Sequence, residues 1–112
     1  MERKVRVVIW EDQQDPPSEI EAEAKLRQEG YDSFRWIDVP GSFYPRHRHN
    51  VHECIWVLKG EICFTVDDRE FALKPGDRIY LPAGTPHEAK VPDEAAVTYL
   101  VGRREKTLVS SP

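Results

Sequence analysis

From Phe34 onward, turn signals recur so regularly that the chain is restricted to short strands. Pro40-Gly41, Lys59-Gly60, Asp67-Asp68, Lys74-Pro75-Gly76, Pro82-Ala83-Gly84 and Pro92-Asp93 separate runs rich in β-branched and aromatic side chains. The runs predict strands over Phe34–Val39, Arg46–Leu58, Glu61–Val66, Glu70–Leu73, Arg78–Leu81, His87–Val91 and Ala96–Val101. Short strands at even spacing indicate an all-β sandwich or barrel. At 112 residues the chain is one domain's worth, long enough for a core without disulfide staples.

The part before Phe34 reads differently. Val5, Val7 and Ile9 alternate with Lys4, Arg6 and Val8, the period of a strand, and Asp15-Pro16-Pro17 breaks it. Ser18 then stands three residues before Glu21, a capping box, with acids in the first turn, Lys25 and Arg27 near the end and Gly30 as the stop. A helix of about eleven residues is marginal alone and must dock on something. Its polar composition predicts a surface cover or a dimer contact. Three segments result: a strand-and-helix appendage over 1–33, a β body over 34–103 and a mobile tail over 104–112.

Charge and cysteine usage narrow the partners. Twenty acidic against sixteen basic side chains leave a net charge of −4, without the basic footprint that nucleic acid requires. No apolar run approaches a membrane span or a signal-peptide core. Cys54 and Cys63 lack the spacing of zinc or redox pairs and read as small hydrophobes, so the expected compartment is the cytoplasm.

The chemistry is concentrated in His47-Arg48-His49-Asn50-Val51-His52-Glu53. If this segment is one regular strand, His47, His49 and Glu53 share a face, successive residues on it being about 6.6–7 Å apart. His52 has the opposite parity and is expected on the surface or a dimer face, not at the site. A further ligand must come from elsewhere, and His87, set by the turn Pro82–Pro86, is the remaining histidine. Imidazole with carboxylate suits iron, manganese, nickel, copper or zinc over calcium or magnesium. Affinity for such an ion should fall below about pH 6.5, where imidazole protonates. Cys54 adjoins Glu53 with outward parity and has no base beside it. Trp56 and Leu58 also point outward, an apolar face that another subunit could cover. The N-terminal strand could pair with an edge of its own sheet or of a partner's.

Two spaced motifs carry a resemblance. Gly41-SFYPR-His47-Arg48-His49-NVH-Glu53-CIWVLK-Gly60 and Gly76-DRIYL-Pro82-Ala83-Gly84-Thr85-Pro86-His87-EAK-Val91 resemble the first and second motifs of the cupins, with Val91 where the family pattern ends in Asn. The resemblance implies a double-stranded β-helix, or jelly-roll barrel. It also implies a dimer and one divalent transition metal ion held by His47, His49, Glu53 and His87 inside one mouth.

The function expected from this is a metal-dependent enzyme, dioxygenase-type or isomerase/lyase. Its substrate would be a small organic molecule whose carboxylate or hydroxyl oxygens chelate the ion. The alternative is a non-catalytic, metal-stabilised module that binds a small ligand. Fold alone does not choose between them. Ile55, Val57, Ile62, Phe64 and Val66 read as core or pocket wall, and Phe43, Tyr44, Tyr80 and Tyr99 as packing first and pocket lining second.

Overall fold

The computed structural model describes residues 4–12 and 14–106; residues 107–112 of the expected mobile tail lie outside the described residues. Nine strands and one helix follow in chain order among the described residues. They are β1 (Arg6–Val8), α1 (Glu19–Gln28), β2 (Asp32–Asp38), β3 (Phe43–His47), β4 (His52–Lys59), β5 (Ile62–Val66), β6 (Arg69–Leu73), β7 (Arg78–Leu81), β8 (His87–Lys90) and β9 (Val97–Arg104). They build two antiparallel sheets, one of order β1-β7-β4-β9-β2 and one of order β3-β8-β5-β6. From β2 to β5 and again from β6 to β9 the chain changes sheet at each step. The result is a jelly-roll barrel, and the all-β expectation holds.

Alternation along the strands explains the core. Ile55 and Val57 on β4, Ile79 and Leu81 on β7, and Val97, Tyr99 and Val101 on β9 face inward against Ile62, Phe64 and Val66 on β5 and Ala89 on β8. Loss of this apolar surface from water, at about 25 cal/mol per Å², is the main force holding the sheets together. Gly60 links β4 to β5 at φ +84, where a Cβ would lie 2.3 Å from the Ala96 carbonyl oxygen, so only glycine fits. The β5–β6 hairpin turns through Asp67 and Asp68, both at positive φ, the backbone of a two-residue primed turn.

The strand expected over Arg46–Leu58 is two strands in different sheets. β3 ends at His47 and β4 begins at His52. Arg48–Val51 forms an irregular crossover between the sheets, so His49 lies on no strand and strand alternation does not set its direction. The other strands begin and end close to their predicted bounds. β9 runs three residues further, to Arg104, because β2 and β4 pair with it on both sides as far as Asp32 and His52.

The outward face of β4 is covered by the chain's own helix rather than by another subunit. Ala22 and Leu26, four residues apart on α1, are buried against Cys54, Trp56, Tyr80 and Leu100, with Trp10 and Leu58 at the margin. A stripe this narrow is why the helix reads as polar. Its capping box is formed, Ser18 Oγ accepting from the Glu21 amide and Glu21 Oε1 from the Ser18 amide. Burial of Leu26 adds about 2 kcal/mol to a helix too short to persist alone. Trp56 is 2% exposed and donates from Nε1 to the Gly76 carbonyl. β1 pairs with β7 of the same chain, and the Trp10 amide donates to Asp77 Oδ1.

Candidate metal centre

The first motif delivers its histidines through two strands and a crossover. His47 closes β3 and lies directly opposite His87, the first residue of β8, after a register shift beyond Tyr44. His49 sits in the crossover, which is tied to the turn before His87: the Gly84 amide donates to the His49 carbonyl at 2.7 Å. The neighbouring Ala83 amide donates to Nδ1 of His52 at 3.0 Å. One turn therefore sets the height of His87 and the path of the segment that carries His49.

The three rings converge. Their centroids are 4.4 Å apart for His47 and His87, 4.8 Å for His47 and His49, and 5.6 Å for His49 and His87. One nitrogen from each ring lies within 4.8 Å of the other two. His47 Nδ1 is 2.7 Å from the Pro45 carbonyl and His87 Nδ1 is 2.9 Å from the Thr85 carbonyl. A carbonyl only accepts, so each Nδ1 carries the proton and each Nε2 presents a lone pair, the tautomer that ligates a metal. Burial holds the His87 ring below its ordinary pKa of 6.5, against the opposing pull of Thr85. Desolvation thus favours the neutral form that ligation needs. Three converging imidazoles, two of them with carbonyl-fixed tautomers, fit a first-row transition metal.

Glu53 enters from the opposite sheet. It projects inward from β4 with its carboxylate only 5% exposed, Oε1 3.6 Å from His49 Nε2 and Oε2 2.9 Å from Arg103 Nε. Glu53 lines the same cavity as the three histidines, beside His49 and engaged by Arg103, but among the described residues the group whose ligating atoms lie within 4.8 Å of one another is the three histidines without it. His52 corrects the sequence expectation. It stays out of the group, yet it is 7% exposed, held inside the chain rather than on its surface.

Two features were missed in the sequence. Arg103 shares the inward parity of Tyr99 and Val101, a signal lost because β9 was expected to stop at Val101. Asp38 is buried and accepts from Tyr44 Oη, Tyr99 Oη and Trp36 Nε1 at 2.6, 2.6 and 2.9 Å. Loss of solvation and the Asp38 carboxylate both raise the Tyr44 and Tyr99 pKa values, so the hydroxyls stay protonated and donate hydrogen bonds to Asp38. The histidines open into a cavity of about 480 Å³ whose walls include Phe34, Trp36, Ile55, Phe64 and Val101.

Comparison with known proteins points the same way. A cupin domain model matches residues 34–102. The chain is 40% identical over 52 residues to quercetin 2,3-dioxygenase of Bacillus subtilis, covering 46% of this chain and 15% of that protein. It is 31% identical over 64 residues to dimethylsulfoniopropionate lyase DddQ of Ruegeria pomeroyi, covering 56% of this chain and 32% of that protein. It therefore spans a third or less of the length of either relative. The crystal structure of the latter lyase matches with a TM-score of 0.62 at 28% identity, over 73% of this chain and 41% of that one. A cupin protein from Bacteroides fragilis shares the fold alone, at a TM-score of 0.61 and 16% identity over 80% of this chain and 78% of that one. The family model spans β2 to β9 with both sheets and all three converging histidines, and by that match the chain belongs to the cupin family.

Proposed function

We propose that this chain is a metal-dependent enzyme acting on a small oxygen-bearing organic molecule. His47, His49, His87 and Glu53 would hold one divalent iron, manganese, nickel, copper or zinc ion. The observation that carries this reading is the convergence of three imidazoles, two with carbonyl-fixed tautomers, at the mouth of an apolar cavity. His47 and His49 are only half-buried, which favours a centre that a substrate can reach over a closed structural site. The likeness to a dioxygenase and a lyase supports two reaction classes, dioxygenation or a non-redox elimination.

When bound, the ion supplies Lewis-acid polarisation of a coordinated oxygen group, and redox chemistry if it is iron or copper. The chain's own residues do the rest. The Pro45 and Thr85 carbonyls hold His47 and His87 in the ligating tautomer. Arg103 fixes the carboxylate of Glu53 so that Oε1 is turned to His49. Tyr44 and Tyr99 commit their protons to Asp38 and so present oxygen lone pairs to a bound molecule. Ile55, Phe64 and Val101 exclude water from one side of it.

A homodimer belongs to the same reading. β2 is an edge strand, and Ile37 on it and Val39 just beyond it are 56% and 68% exposed, an edge that a second copy would cover. The test of the function is metal-to-chain stoichiometry of the purified protein, with turnover measured on candidate acids, phenols and enols. The wild type is expected to hold close to one ion per chain. His49→Ala should lose metal and at least about 100-fold in activity while keeping its far-UV dichroism. Undiminished turnover by metal-free His49→Ala would overturn the reading.

A further inference from the structure

The cavity that receives the histidines opposes the charge of the chain. Overall, acids outnumber bases and the net charge is −4. Of the charged side chains that line the cavity, Arg46 and Arg103 are permanent cations and Glu53 is the one carboxylate among the described residues. Asp38 lies behind the wall, its two oxygens taken up by three donors. An acidic protein with a cationic, apolar-walled recess draws anions to that recess and repels them elsewhere.

Arg103 is the cation placed to use this. The antiparallel register of β4 and β9 sets it directly across from Glu53, and the ion pair uses its Nε. Its guanidinium lies 5.5 Å from the Phe34 ring centre, and its side chain is half-exposed where that of Glu53 is 5% exposed. The carboxylate is therefore sunk in the wall while the guanidinium faces the opening. Arginine's planar fork matches a second carboxylate in two parallel hydrogen bonds. A neutral molecule filling the same space would strip water from that guanidinium and return at most a neutral hydrogen bond in place of the charge-assisted pair. Phe34 and Trp36, packed edge to face with centroids 6.3 Å apart, offer a ring-sized apolar surface beside it.

We propose that the cavity takes a small organic carboxylate with an apolar, ring-sized body, its carboxylate docked on Arg103 and its body against Phe34, Trp36 and Phe64. The proposal names the substrate class of the metal centre and rests on that reading only for what happens after binding. The arginine–carboxylate contact stands without the ion. A cavity of about 480 Å³ is within the usual size of small-molecule sites.

Trp36 lines the cavity and serves as the reporter. The full chain, metal-free and zinc-loaded, is titrated with benzoate and with its neutral isostere benzamide while tryptophan fluorescence is followed, Trp36→Phe confirming the source of the signal. Zinc binding is measured separately by calorimetry. Zinc-loaded protein is expected to bind benzoate about tenfold more tightly than benzamide. Arg103→Met should bring the two within about twofold, and Arg103→Lys, which keeps the charge but loses the fork, should keep only part of the preference. Metal-free Glu53→Gln, in which the competing carboxylate is gone, should bind benzoate about threefold or more tighter than the metal-free wild type. Equal binding of the two ligands, a preference that survives Arg103→Met, or no benzoate response in either zinc-loaded wild type or Glu53→Gln overturns the proposal. A chain that takes up no zinc overturns the metal-centre reading instead, and the metal-free Glu53→Gln titration then decides this one.

Discussion

His87 shows how one residue's surroundings select its chemistry. Its ring is buried, its Nδ1–H is given to Thr85, and loss of solvation lowers its pKa below 6.5. The sign of the consequence follows from proton counting. Below pH 6.5 the unfolded chain protonates this imidazole and the folded chain resists doing so, so unfolding takes up a proton. Stability of the metal-free protein is therefore expected to fall as pH drops from about 6.5, levelling once the folded ring is protonated too. Thermal melts at pH 7.5 and 5.5 check this: the fall should be larger for the wild type than for His87→Gln, and equal falls would refute it. Cys54 carries the opposite lesson. Burial pushes its thiol up to about 12, so despite adjoining Glu53 it is no nucleophile. A thiol-alkylating reagent at pH 8 should leave Cys54 unmodified in the native protein and label it after denaturation, as read by peptide mass mapping.

Among the elements, the β5–β6 hairpin and α1 show what local chemistry can and cannot do. Asp67 and Asp68 occupy a turn with φ of 50 and 62, which L-residues tolerate at a cost that glycine avoids. Asp68→Gly is expected to stabilise the protein by about 0.5–1 kcal/mol, read from the midpoint of chemical denaturation. A destabilised variant would mean that the Asp68 side chain makes a contact outweighing its backbone strain. The turn and the helix start were both legible in the sequence, because a primed turn and a capping box depend on residues within four positions of one another. What α1 packs on was not legible. Two buried side chains, Ala22 and Leu26, decide it, and they meet residues from β4, β7 and β9 that only the folded sheet brings together.

At the scale of the whole molecule, the centre joins the two sheets. His47 and His87 come from one, Glu53 and Arg103 from the other, and the crossover carrying His49 spans them. An ion held there would tie the two sheets together at the barrel mouth and bind the folded state alone. Zinc at 100 times its dissociation constant would then add about 2.7 kcal/mol, a rise in melting temperature of roughly 10–20 °C for a domain of this size. Scanning calorimetry should show that rise in the wild type and lose it in His49→Ala. No rise in the wild type would mean that the histidines do not act together as one site.

The sequence by itself determined the class of fold and the identity of the converging histidines. Turn residues, alternation and the spacing from Gly41 to Val91 are short-range properties, written in neighbours along the chain. Tertiary structure decided how those side chains arrive. His49 comes from a crossover rather than a strand, because the chain changes sheet between His47 and His52. His52 is buried because the Ala83 amide, 31 positions away, bonds its ring. Trp56 is covered by a helix from the same chain, and Arg103 meets Glu53 across 50 residues of sequence. Each of these depends on sheet register, which the balance of the whole core sets and no local pattern contains.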